Sequence, residues 1–168
     1  MAAEAPSAPD LIEPLVGYRS WMYQLIPDGV RLHSAASSRD AYPWTGASRR
    51  WVTASCIAVP DDVEHAAPQE GCTCGFYSWK KQACLGDLRS CLSADGDLSV
   101  GMVHGRVELA GKVIEHKGGY RAEQARIAEL IAAPDDARGT ILVGSLLHLP
   151  VVAPIPADRD DECSDSWN

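Results

Sequence analysis

The sequence holds a single phenylalanine among 168 residues, set against five Trp and five Tyr. Trp and Tyr each carry a polar group that seeks a partner, so they suit half-buried faces, pocket walls and interfaces better than a dry core. Long apolar runs are missing as well. None approaches the ~20 residues that a membrane helix requires, and the longest, 141–155, is interrupted by Gly144, His148, Pro150 and Pro154. The first fourteen residues lack a basic stretch followed by an apolar one, which is not the pattern of a secretory signal. A cytoplasmic protein is expected. Basic charge is scarce: the net charge is −8. Nucleic acid binds chiefly through basic footprints, so it is not expected as the main partner. Short basic strips at Arg49-Arg50 and Lys80-Lys81 read as solvated surface. The apolar fraction of 46% is ordinary, and this length can bury a substantial core as one domain.

What the chain does have is a cluster of soft metal ligands. Cys56, His65, Cys72 and Cys74 fall within one short stretch of sequence. Three thiols and an imidazole form a plausible tetrahedral set for Zn²⁺. The Cys72-Thr73-Cys74 pair is flanked by Gly71 and Gly75, which let the backbone curl around one ion. His65 supplies the natural fourth ligand, with His104 or His116 as substitutes should the later strands pack alongside. In a reducing compartment, grouped cysteines bind metals more often than they form disulfides. Four protein ligands would close the site and make the metal a structural clip for the 57–71 loop. An open, catalytic metal would want a carboxylate base, for which Glu64, Glu70 and Glu115 are available. None has the spacing of a metalloprotease or a nucleotide deaminase. A third use, a redox-responsive thiol, would need Cys72 or Cys74 exposed with a depressed pKa.

The coarse organisation reads as a disordered arm over 1–14, one domain over 15–153 and an acidic disordered tail over 154–168. Strands are predicted at 17–26 and 30–34, joined through the turn residues Pro27-Asp28-Gly29. Another is predicted at 51–59. Positions 100–107 and 108–115 read as a second hairpin bending near Gly111. Cys84, Leu88, Cys91 and Leu92 share one helical face, predicting a helix over 79–92. On such a helix Cys84 and Cys91 lie roughly 10 Å apart, too far for a disulfide, so both read as small core residues. Ala125, Ala128 and Ile131 predict a second helix over 120–133, and a final strand is predicted over 140–152. The sum is an α+β fold, a largely antiparallel sheet with two main helices.

Outside the cysteines, Arg19, Trp21, Trp44, His116, Tyr120 and Arg121 are the candidate partner-binding residues. Arg19 and Arg121 each close a Gly-Tyr-Arg triplet, and the Gly118-Gly119 start of the expected helix would form an anion site with Arg121. The glycine spacing matches neither the dinucleotide fingerprint nor the P-loop.

Several of these features together resemble an uncharacterised family of small proteins met in high-GC Gram-positive bacteria and their phages. The resemblance is carried by Gly17-Tyr18-Arg19 with Trp21, residues 29–34, Trp44 and Cys56. It continues through His65 with Pro68, Cys72-x-Cys74-Gly75-x-Tyr77, and Glu115-His116 with Gly119-Tyr120-Arg121-Ala122. It covers about 17–131, and this chain departs from it at Ser78-Trp79-Lys80-Lys81. It implies one domain with the cysteines and His65 in one frame, and it implies no substrate. The expectation is therefore a cytoplasmic protein whose structural zinc pins a loop onto a sheet and which binds a protein partner. The alternative is an enzyme or small-ligand binder with an anion site at His116 and Arg121.

Overall fold

Pro27 and Asp28 turn the chain back on itself, and the hairpin predicted around them is present: β1 (Leu15–Ile26) and β2 (Gly29–Ser34) pair antiparallel from Trp21↔Ser34 to Ile26↔Gly29. The computed structural model describes residues 13–35, 44, 50–56, 65–85, 97–133 and 137–156. The proposed N-terminal arm, the acidic tail and the loop between Cys56 and His65 fall largely or wholly outside them. After β2 come β3 (Val52–Thr53), β4 (Phe76–Trp79), β5 (Val100–Glu115) and β6 (Gly119–Ile131), then α1 (Arg138–Leu147) and β7 (Val151–Val152). The fold is α+β with a sheet that is antiparallel except at the β6–β7 pair.

Residues 120–133 are strand, not helix. Their alanines favour a helix in isolation, but β6 pairs with β5 from His104↔Ile131 to Glu115↔Tyr120, and that ladder overrides propensity. Residues 100–115 are one strand rather than a hairpin. Gly111, with φ +72, makes a bulge where the register shifts between Ala110 and Val113. The actual turn lies at 116–118, closed by the His116 N–H donating to the Gly119 carbonyl at 2.9 Å. The expected strand 140–152 is mostly α1, whose buried Thr140, Val143, Gly144 and Leu147 repeat at helical spacing. Finally, the helix expected over 79–92 is a short 3₁₀ turn at Gln82–Leu85, with residues beyond 85 outside the described set. Cys84 is disulfide-bonded there rather than a free core thiol, its partner lying outside the described residues. Among the described residues α1 is the one α-helix.

The strand pairing closes on itself. β1 pairs with β5, β5 with β6, β6 with β4, and β4 returns to β1 through Tyr18↔Trp79. Strand closure of this kind leaves these four strands few open edges. The interior is filled by Trp21, Trp44 and Phe76, with Trp44 edge-on to both others at ring distances of 5.5 and 5.0 Å. Such bulk leaves β6 little room, and Ala122 and Ala125 are fully buried in the same cluster. Small residues also decide how close the backbones come. A Cβ at Gly105 would lie 2.4 Å from the Glu129 carbonyl oxygen and 3.1 Å from Trp21 Cζ3.

Candidate metal centre

Two backbone devices assemble the ligand set. On one side, β3 registers Thr53 opposite Gln124, and the Ala54 N–H donates to the Glu123 carbonyl at 2.7 Å. The next residue, Ser55, bridges to Ala66. That bridge sets the neighbours Cys56 and His65 beside each other. On the other side, the Cys72 N–H donates to the Gln69 carbonyl at 3.2 Å, tightening a turn that runs into β4. Gly71 and Gly75 have φ of +79 and +113, angles that side chains disfavour. At Gly75 space is short as well, since a Cβ would meet Pro68 Cβ at 3.0 Å.

The result is compact. One ligand atom from each of Cys56, His65, Cys72 and Cys74 lies within 4.8 Å of all the others. Cys56 Sγ and Cys72 Sγ are 3.6 Å apart, and His65 Nε2 and Cys74 Sγ are 3.3 Å apart. A zinc tetrahedron with Zn–S bonds of about 2.3 Å has S···S edges of roughly 3.8 Å. The observed spacing is that of a site sized for such an ion. All three cysteines are free thiols, and none is fully exposed.

The electrostatics separate the two turn cysteines. For Cys72, burial acts to raise the pKa, but hydrogen bonds from the Cys74 backbone N–H and from the Cys74, Cys56 and His65 side chains outweigh it, bringing it down to about 7. For Cys74, burial again comes first and wins, holding its thiol above the ordinary value, with neighbouring Cys72 and Cys56 adding to the shift and a Gln69 N–H opposing it. Backbone N–H groups thus already point at both sulfurs. Because the thiolate is the nucleophile, metal-free protein is expected to be alkylated at Cys72 before Cys74. The Cys72 rate should rise as the pH passes upward through about 7. Peptide mapping after a short iodoacetamide pulse at several pH values checks this; Cys74 reacting first would contradict it.

The residue that braces the turn is Arg121. It stands opposite Tyr77 in the β4–β6 ladder and is only 6% exposed. Its Nη1 donates to the carbonyls of Cys72 and Cys74, the latter at 3.3 Å, and its Nε donates to His116 Nε2 at 3.0 Å. The Tyr77 hydroxyl donates to the Thr73 carbonyl at 2.9 Å, while Arg121 lies 5.8 Å over the Tyr77 ring. Three consecutive carbonyls, 72 to 74, are therefore held from β4 and β6. Accepting from Arg121 requires His116 Nε2 to be unprotonated. Burial, then the charges of Arg121 and Lys80, lower the His116 pKa in the same sense.

Other sequence candidates land elsewhere. Trp21 and Trp44 are 0% and 1% exposed, so they are core rather than partner surface. Arg19 donates to the Tyr77 carbonyl at 2.6 Å and to Ser34 Oγ at 2.8 Å, from the β1 side of β4. Tyr120 is half-buried beneath the Lys80 ammonium. His104 is buried beside Ser20 Oγ at 2.8 Å and is not in the cluster. His116 is not in the cluster either, but touches it through Arg121. Of the carboxylates considered as bases, Glu115 is paired with Lys80 at 2.6 Å and Glu70 is exposed, while Glu64 falls outside the described residues. Sequence reasoning missed the Arg121–carbonyl brace. Reading 119–131 as a strand would have placed Arg121 across from Tyr77, three residues past Cys74.

No known protein family matches this chain, and comparison with curated proteins and with solved structures found no similar protein. The site stands on its geometry. The cluster could hold a metal ion. No helix among the described residues is long and apolar enough to cross a membrane.

Proposed function

We propose that this chain is a zinc protein whose ion is structural, and that the sheet it stabilises serves as a binding module for a protein partner. One observation carries the reading: four soft ligand atoms, three S and one N, within 4.8 Å of one another. Such a set favours zinc over harder cations and fills a tetrahedron without leaving a position for substrate. The ion would tie the end of β3 and the residues after it to the turn that launches β4. His65, Cys72 and Cys74 would hold it together with Cys56.

The enzyme alternative has less support. Arg121 and His116 are turned toward each other and toward the Cys72 and Cys74 carbonyls, which leaves little of either for an incoming anion. With Trp21 and Trp44 buried, a partner surface would draw on exposed apolar side chains such as Trp51, Ile141 and Leu146. Trp51 is stacked under the Arg126 guanidinium at 4.7 Å, a contact that keeps its ring presented. Thiolate ligands persist best in a reducing compartment, and we place the chain in the cytoplasm on that ground. The Cys84 disulfide is the one feature that favours an oxidising one.

The test is elemental analysis of untagged protein purified without added metal. About one zinc per chain, absent from a Cys72→Ser/Cys74→Ser double variant, is the expected outcome. A wild-type chain that takes up no zinc would sink the proposal.

A further inference from the structure

Among the described residues, the buried guanidinium of Arg121 has no carboxylate to pair with. A guanidinium does not lose its proton in a protein, and burying it beside neutral groups alone is costly. Three other cations on or beside the sheet have carboxylate partners: Arg126 has Glu108, Arg106 has Glu129 and Lys80 has Glu115. Arg121 has carbonyl oxygens, an imidazole nitrogen and a tyrosine ring, and among the described residues no carboxylate pairs with it. The groups beside it that become anionic are the thiols of the cluster, and ligation makes them so.

We propose that Arg121 is the built-in counter-charge of the metal centre. This rests on the zinc reading above. Three thiolates, a neutral His65 and a divalent ion carry one net negative charge, and Arg121 balances it. The guanidinium lies against the turn that carries two of the ligands, its Nη1 donating to the Cys72 and Cys74 carbonyls. His116 completes the arrangement by accepting the Nε proton, which fixes the fork in place. The metal and Arg121 are therefore linked: each lowers the cost of burying the other.

Two substitutions separate charge from hydrogen bonding. Arg121→Gln keeps amide donors for the carbonyls and removes the charge, whereas Arg121→Lys keeps the charge and loses the fork. Zinc affinity is measured by competition with a chromophoric chelator. Cobalt(II) spectra establish that the same three sulfurs and one nitrogen still coordinate. Arg121→Gln is expected to weaken binding about 10- to 100-fold, the usual range for groups just outside the ligands, and Arg121→Lys by distinctly less. Arg19→Gln, which removes comparable bonds from the other side of β4, is expected to leave affinity unchanged. Equal weakening by Gln and Lys would make Arg121 a mere hydrogen-bonding brace and overturn the proposal, as would an unaffected Gln variant. If Arg121→Gln folds only when loaded, the chelator concentration that strips each loaded variant gives the same ranking. A wild-type chain without metal would instead defeat the zinc reading itself.

Discussion

Removal of the metal is expected to abolish the cooperative melt of this protein. Binding free energies of structural zinc sites run to about 10–16 kcal/mol at neutral pH, whereas whole domains are stable by roughly 5–15 kcal/mol. An ion that ligates only the native arrangement therefore contributes on the scale of the entire fold. The local structure says where the loss would be felt. Cys56 and His65 are juxtaposed by one isolated bridge, Ser55 to Ala66, and β3 beside it is two residues long. Without the ion, Arg121 would also be a buried cation facing thiols that are at most partly ionised at neutral pH. The measurement is thermal unfolding followed by near-ultraviolet circular dichroism, with and without a strong chelator, beside the Cys72→Ser/Cys74→Ser variant. Loss of the sharp transition in both is the expected result. A stripped protein melting within about 4 °C of the loaded one, equivalent to roughly 1 kcal/mol at this size, would show that the ion is not structural.

The second large effect lies in the core. Trp21→Ala is expected to cost about 3–5 kcal/mol, the range for emptying a buried large aromatic position. Trp21 is fully buried, stands 5.5 Å from the Trp44 ring, and occupies the space that glycine leaves open at position 105. Collapse into that space is blocked because the surrounding strands are hydrogen-bonded on both sides of β1. Urea unfolding of metal-loaded protein, with the midpoint compared at constant slope, gives the number. A change below about 1 kcal/mol would mean that the ring faces a partner after all.

The ligand set was legible in the sequence because its residue types are chemically specific and fall close together. The β1–β2 hairpin was legible for a similar reason: Pro27-Asp28-Gly29 states a turn, and the flanking residues alternate. What failed was every segment whose local preference opposed its tertiary setting. The alanines at 125 and 128 speak for a helix, yet Ala125, like Ala122, is small because Trp44 and Phe76 take up the interior. The β-branched Thr140, Ile141 and Val143 speak for a strand, yet the buried positions repeat at helical spacing on a face packed against Leu130 and Val151. The Gly-Tyr-Arg triplets are plain in the sequence, but a helix over 120–133 has no register that puts Arg121 opposite Tyr77. That single misassignment turned a metal-site brace into a supposed anion site.

The closed strand circuit also dictates an order of assembly. β5 and β6 are separated by three residues and can zip together locally, whereas β1 must meet β5 across a separation of 84 residues at the Ser20–His104 contact. Closing so long a span is entropically slow. All four ligands lie on the stretch that must be spanned, and joining Cys56 to Cys72 through one ion takes 16 positions out of it. A bound ion would then be more than a clamp on the finished sheet: it would shorten the path by which the last seam, between β4 and β1, finds its register.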